Sequence, residues 1–145
     1  MKAMEYLKQI GIMDARINAR LEELESLRTL AMKTTATMGG ERVQSSGSQQ
    51  KMADCVVKIV ELEQEINDAV DIFVDYKREA MALIDMACDA DCIRLLHKRY
   101  FRMMTWESIA VDMNFTYQWV SGGLHQRALS QLQEALNQKC ACDSL

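Results

Sequence analysis

Hydrophobic positions recur along most of the chain with the spacing of an α-helix. From Leu7 to Ala31 they fall every three or four residues, which keeps one helical face apolar and leaves the other charged. From Met52 onward the pattern becomes five consecutive heptads, whose first apolar position is occupied by Met52, Ile59, Ile66, Phe73, Ala80 and Ala87. The second apolar position is occupied by Cys55, Leu62, Ala69, Tyr76 and Leu83. The two patterns predict two long amphipathic helices.

The segment that separates these helices, residues 34–50, has the composition of a loop. It holds three of the six glycines and six serine or threonine residues. Two long helices joined by one loop can fold back as an antiparallel hairpin, or each can pair with another copy of the chain. Since a lone hairpin leaves apolar surface exposed, we expect homo-oligomerisation, with a dimer favoured. The expected hairpin or oligomerisation core consists of Ile59, Leu62, Ile66, Phe73, Tyr76 and Leu83.

A third region begins near Asp89 and has shorter helical patterns. Asp89 is a candidate N-cap for a first helix, Thr105 for a short second helix, and Thr116 for a third. We therefore predict an all-α fold with two domains. Residues 1–87 form a long N-terminal helical hairpin or coiled coil, and residues 88–145 form a three-helix helix-turn-helix module.

Composition supports the all-α class and divides the chain by charge. There is no proline among 145 residues, whereas turn-rich β-folds commonly use proline. The net charge of −4 is uneven: residues 1–87 carry 11 basic and 15 acidic side chains, but residues 93–139 carry six basic and three acidic ones. The acidity argues against a protein that is basic all over, yet the last region has a local basic excess.

The spacing from Thr105 to Leu124 is typical of a helix-turn-helix. Ala110 is the small residue of the first helix, Asn114 can adopt the left-handed conformation of the turn, and Val120 closes the packing from the second helix. The remaining expected core contacts are Ile109, Met113, Phe115 and Leu124. The same residues would also suit an ordinary helical pair that does not bind DNA.

If the module binds double-stranded DNA, the contacts fall into two groups. Polar side chains at the start of the second helix would read base edges, and these are Thr116, Tyr117, Gln118 and Ser121. Basic side chains and helix N-termini would hold phosphates, for which the candidates are Lys98, Arg99, Arg102, Thr105 and Arg127.

Two motifs in this region resemble a known family. RYFRMMTWESIAVDMNFTYQWV, followed by LHQRAL, is similar to region four of bacterial sigma factors, in the form found in phage and prophage regulators of the ArpU/RinA type. The resemblance extends to YLKQIGIMDARI, ERVQSSGS and KMADCVVKIVELEQEI, and so covers nearly the whole chain. It implies a DNA-binding regulator of phage gene expression, with late genes as targets, in which Arg127 contacts the DNA backbone.

The chain departs from the family pattern at Gly122 and Gly123, where it is one residue longer. The apolar residue expected three positions after Val120 is replaced by Gly123, and Leu124 arrives one position late. Glycine costs a helix about 1 kcal/mol relative to alanine. We expect the recognition helix to bend here, to contain a π-bulge, or to end and restart at Leu124.

Other chemistry is weakly represented, so we expect neither an enzyme nor a cofactor. Cys55, Cys88, Cys92, Cys140 and Cys142 lack the spacing of a structural zinc site and are expected to be reduced thiols. His97 and His125 have no nucleophile or metal partner at a telling spacing, and Trp106 and Trp119 are expected to pack between helices. No membrane span or secretion signal is predicted, so we expect a location in the bacterial cytoplasm, at the nucleoid when DNA is bound.

A second hypothesis belongs to a different functional class. The chain would be a non-enzymatic interaction protein that contacts RNA polymerase or another phage protein through its coiled coil and helical module. The glycine pair in the recognition helix and the long heptad surface motivate this alternative.

Overall fold

The computed structural model describes residues 1–38 and 46–144, and in this part of the chain every regular element is helical. It confirms the predicted all-α class. The elements are α1 (Ala3–Met38), α2 (Ser46–Ala87), α3 (Ala90–Leu96), a π-helical turn (His97–Phe101), α4 (Trp106–Met113), a second π-helical turn (Trp119–Leu124) and α5 (His125–Asp143). None of the helices described is both long enough and apolar enough to cross a membrane.

Residues 14–72 form one compact unit, an antiparallel hairpin of α1 and α2. Leu24 of α1 is buried with Leu62 and Ile66 of α2, and Leu27 and Ile59 pack against them. Two exposed ion pairs show the antiparallel direction: Arg20 meets Glu65 at 3.8 Å, and Arg28, two turns later, meets Glu63 at 2.7 Å. Both helices extend into the predicted loop, since α1 ends at Met38 and α2 begins at Ser46; the rest of that loop lies outside the described residues.

The second compact unit combines both ends of the chain, residues 1–13 and 73–145. Leu7 and Ile10 of the first turns of α1 are fully buried in one core with Leu95, Ile109 and Leu132. Polar contacts join the same ends. The Ala3 amide donates to the side-chain carbonyl of Gln133 at 2.7 Å, and the Tyr76 hydroxyl donates to the carbonyl of Tyr6 at 2.7 Å.

This division differs from the predicted boundary after residue 87. Of the six residues expected to form a single hairpin or oligomerisation core, Ile59, Leu62 and Ile66 lie in the hairpin, but Phe73, Tyr76 and Leu83 pack against the core of the other unit. The heptad positions are nevertheless all buried or half-buried. Periodicity therefore identified the packed face of α2 correctly, although one uniform stripe contacts different neighbours along its length.

The first prediction concerns the dependence of the C-terminal module on residues far away in the sequence. Replacing Leu7 or Ile10 with alanine should lower the free energy of unfolding by about 2–5 kcal/mol, as expected when a fully buried aliphatic side chain is removed. The only two tryptophans, Trp106 and Trp119, lie in the module, so their fluorescence in urea reports its unfolding.

Leu30→Ala is the control, because Leu30 also lies in α1 but is half exposed. Its effect should stay within about 0.5 kcal/mol. An unchanged tryptophan transition in Leu7→Ala and Ile10→Ala would mean that the module is stable without the first turns of α1.

Candidate nucleic-acid interface

The first helix of the candidate motif, α4, has defined caps at both ends. The Thr105 hydroxyl oxygen accepts the Ser108 amide at 3.3 Å, which satisfies a donor at the N-terminus. At the other end Asn114 has φ 56° and ψ 40°, the left-handed conformation that its spacing predicts. The Phe115 amide then donates to Ala110 at 3.0 Å and the Asn114 amide to Val111 at 3.3 Å, the two bonds of a Schellman motif.

The next helix starts immediately after this turn. The Thr116 hydroxyl oxygen accepts the Trp119 amide at 3.2 Å, so the expected threonine does cap the helix. Ile109 and Ala110 of α4 share the core with Val120 and Leu124 of the second helix, and Met113 is partly buried beside them. Phe115 is the exception: it was expected in this core but is 37% exposed. The Schellman motif uses its backbone amide to close α4, and its side chain lies outside the core.

A π-helical turn accommodates the additional residue of the second helix. Of the three outcomes expected for Gly122 and Gly123, the structure shows a π-helical stretch from Trp119 to Leu124 inside a continuous helix. Because π-helical hydrogen bonds span five residues instead of four, this turn holds one residue more. Val120, near the start of this turn, and Leu124, at its end, are both buried in the core.

The two glycines have different surroundings. A methyl group on Gly123 would lie 2.5 Å from Cζ3 of Trp119, whereas one on Gly122 would meet nothing within 4 Å. Trp119 therefore lies across the backbone of its own helix at Gly123 and stays 42% exposed, instead of packing between helices as expected. Position 123 needs glycine for this contact, while position 122 does not.

The four candidates for base reading fall on the first turns of this helix. Thr116, Tyr117 and Gln118 are exposed at its N-terminus. Ser121 is only partly exposed, and its hydroxyl donates to the carbonyl of Tyr117 at 2.7 Å. Three of the four side chains are thus exposed on the first turn of this helix, and the only hydroxyl proton of Ser121 is used within the helix.

The candidate phosphate contacts are in contrasting environments. Lys98 pairs with Asp112, and this hydrogen bond holds the pKa of the Asp112 carboxyl below its usual range. Arg127 pairs with Asp89 at 2.5 Å. Arg102 and the cap residue Thr105 are exposed. Lys98 and Arg127 therefore have structural partners inside the unit, while Arg102 faces solvent.

Arg99 belongs to a cluster that the sequence did not predict. Its guanidinium lies 4.4 Å from the ring centroid of Trp106 and donates to the carbonyl of Met104 at 3.0 Å. Trp106 in turn meets the ring of His125 edge-on at 4.8 Å, and the Tyr100 hydroxyl is 2.7 Å from Nε2 of His125. Burial lowers the pKa of His125, which favours the neutral ring. This histidine is a packing residue of the core.

Asp89 forms the other unpredicted cluster, at the junction of α2 and α3. As predicted, its carboxylate caps α3 by accepting the Cys92 amide, at 3.0 Å. It also accepts the side-chain amide of Gln131 at 3.2 Å. The Cys92 amide, then Gln131 and Arg127, lower the pKa of the Asp89 carboxyl. Sequence spacing could reveal the cap, but not partners some forty residues away.

Histidine, cysteine and acidic side chains are the residue types that could hold a metal ion in the described part of the chain, residues 1–38 and 46–144. No group of three or more histidine, cysteine or acidic side chains there is arranged to hold a metal ion. All five cysteines are free thiols, and burial raises the pKa of Cys88 to about 11 and that of Cys92 to about 12. Both thiols are therefore protonated at neutral pH.

No protein-family model matches the chain, and neither the curated proteins nor the solved structures include one that is significantly similar. The resemblance to sigma factor region four therefore stays a prediction. A proposal of function therefore rests on the geometry of the module.

The second prediction separates the roles of the two glycines. Gly122→Ala should raise the free energy of unfolding by roughly 0.5–1 kcal/mol, because alanine suits a helix better and the added methyl meets open space. Gly123→Ala should lower it by about 1–3 kcal/mol, because the methyl displaces the Trp119 ring. Urea unfolding followed by circular dichroism measures both.

The variant Trp119→Ala supplies the control. In that background Gly123→Ala should become stabilising, like Gly122→Ala, since the clashing ring is gone. Equal effects of Gly123→Ala with and without Trp119 would contradict the assigned contact.

Proposed function

We propose that the chain is a DNA-binding transcriptional regulator, of the phage type that its sequence resembles, and that the helix starting at Thr116 enters the major groove. The observation that carries the proposal is the connection between the two helices. A capped α4, a left-handed Asn114 and a second cap at Thr116 occur within twelve residues, with Ala110 and Val120 buried between the helices. This is the construction of a helix-turn-helix.

The surface chemistry of the second helix supports the same function. Tyr117 and Gln118 are exposed at its N-terminus, where a docked recognition helix meets base edges. Arg102 is exposed just before the Thr105 cap of α4, in a position suited to the DNA backbone. Side chains of both kinds are needed, because phosphate contacts supply affinity and base contacts supply sequence preference.

The third prediction tests DNA binding directly. Selection from random duplexes should enrich one sequence, and the affinity for it should fall steeply between about 50 and 200 mM salt. Arg102→Gln should weaken binding to all duplexes and reduce the salt slope by about 1. Gln118→Ala should instead reduce the discrimination between the selected and a scrambled duplex by about 1–3 kcal/mol.

Gln138→Ala is the matched control, because Gln138 is an exposed glutamine near the far end of α5. It should leave both the affinity and the discrimination unchanged. Failure of the native protein to bind any duplex at 50 mM salt, a low ionic strength that favours phosphate contacts, would overturn the proposal.

One observation favours the alternative function, an interaction protein that contacts RNA polymerase or another phage protein. Two of the five candidate phosphate contacts, Lys98 and Arg127, pair with carboxylates of the same unit. Under this alternative the module retains polymerase subunits in a pull-down without binding duplex DNA, and Tyr117→Ala weakens that retention.

We also propose that the protein acts as a dimer through its hairpin. The described part of the hairpin buries only four apolar residues below one-tenth exposure, Ile17, Leu24, Leu62 and Ile66. So small a core is marginal for a two-helix unit. Next to the face of α2 that packs on α1 lies a valine stripe, formed by Val56, Val60 and Val70. These side chains are 49%, 59% and 36% exposed and lie within about 80° of arc on the helix.

A second copy is the partner that the charges favour for this valine stripe. On the side of the α1–α2 contact away from the valines, the surface is charged and forms a groove lined by Glu23, Leu27, Lys58, Glu61, Leu62 and Glu65. Along α2, residues 61–71 carry five carboxylates and no cation, whereas residues 46–60 carry Lys51, Asp54 and Lys58. Antiparallel pairing of two α2 helices with the two-fold axis near Val60 places residues 61–71 of each copy opposite residues 49–59 of the other, so the two acidic stretches do not face each other.

The fourth prediction uses light scattering to measure the mass in solution. The native protein should have twice the 16.6 kDa mass of one chain. Val60→Glu should reduce the mass to that of one chain, because it places a charge in the stripe. Ile72→Glu, an identical change at a residue that is 62% exposed on another side of α2, should remain dimeric. A monomeric native protein would contradict self-association.

A further inference from the structure

A groove in the second compact unit, residues 1–13 and 73–145, brings together residues from the two ends of the chain. It is about 570 Å³ in volume, and its lining includes Leu7 and Lys8 of α1, Arg99, Trp106 and Ser121. Lys8 and Arg99 are the two charged residues that line it, and none of the described lining residues is acidic. In a chain of net charge −4, a groove lined by two cations and no carboxylate has a local excess of positive charge, which favours an anion.

The arrangement of Arg99 narrows the chemistry of that anion. Met103 has a left-handed backbone conformation, with φ 55°, and the carbonyl of the following residue, Met104, accepts one N–H of Arg99. The Trp106 ring supports the guanidinium on one side. A guanidinium has five N–H donors in a rigid plane, so the remaining donors are held ready for an oxyanion such as phosphate.

The position of the groove connects it to the candidate recognition helix. Ser121 lies one turn after Tyr117 and contributes to the groove wall. A strand whose bases meet Tyr117 and Gln118 would therefore pass its backbone near the groove. Lys8 is exposed there, 91 residues before Arg99 in the sequence, and was not among the cations predicted to contact DNA.

We propose that this groove binds a backbone phosphate of duplex DNA and that Lys8 is a DNA-contacting residue, so that the N-terminal helix takes part in the interface. The inference rests on the proposed DNA-binding function. Arg99 orients the phosphate through its planar donors, and Lys8 supplies a second positive charge from α1. The groove thus extends the interface beyond the helix-turn-helix itself.

The test measures the salt dependence of binding of the full-length protein to a fluorescent duplex selected as above. Lys8→Gln should reduce the slope of log affinity against log salt by about 0.9, the value for one phosphate contact, and should weaken binding at 100 mM salt by about 5- to 10-fold. Lys8→Arg should restore most of the slope, since it keeps the charge.

Arg16→Gln is the control, because Arg16 is an exposed cation of the hairpin unit on α1, outside the proposed dimer surface of α2, and its replacement makes the same change in net charge. Its slope should equal that of the native protein. If the native protein binds DNA and Lys8→Gln binds it with the same salt slope, the phosphate site is overturned and the proposed function still stands. A native protein that binds no duplex overturns both.

Discussion

The helix-turn-helix depends on one packing interaction, the burial of Leu7 and Ile10 in the core of the second compact unit. α3 and α4 contain seven and eight residues, too few for stable helices in isolation. They are held because Leu95 and Ile109 share a core with the first turns of α1, the last turns of α2 and α5. The candidate recognition surface is therefore supported by helices from both ends of the chain.

The π-helical turn shows how this core tolerates an irregular sequence. Val120 and Leu124 must both reach the core, yet Leu124 comes one position later than the apolar pattern predicts. A wider turn accommodates the extra residue without ending the helix, so Thr116 to Gln118 keep a helical scaffold behind them. The contact of Trp119 with Gly123 gives the glycine a packing role within that turn.

The sequence predicted those parts of the fold that depend on local chemistry. The long helices follow from periodicity, the left-handed Asn114 from its spacing, and the caps at Asp89, Thr105 and Thr116 from residue type. Partners distant in the sequence were not predictable, because one apolar stripe fits any complementary surface. Thus the last heptads of α2 pack against the core that also contains the helix-turn-helix. Likewise, Lys8 lines a groove with Arg99, which is 91 residues away in the sequence.

Internal ion pairs determine which charges the candidate interface presents. Asp112 lies on α4 and would repel a DNA backbone, but Lys98 pairs with it and keeps it from acting as an isolated negative charge. Arg127 does the same for Asp89 at the start of α3. The charges of Lys98 and Arg127 therefore neutralise carboxylates of the same unit and are less available to attract phosphate. Among the described cations proposed to contact DNA, those without a carboxylate partner are Lys8 and Arg99, which line a groove with Ser121 of the candidate recognition helix, and the exposed Arg102. An acidic chain can therefore carry a local excess of positive charge beside its helix-turn-helix.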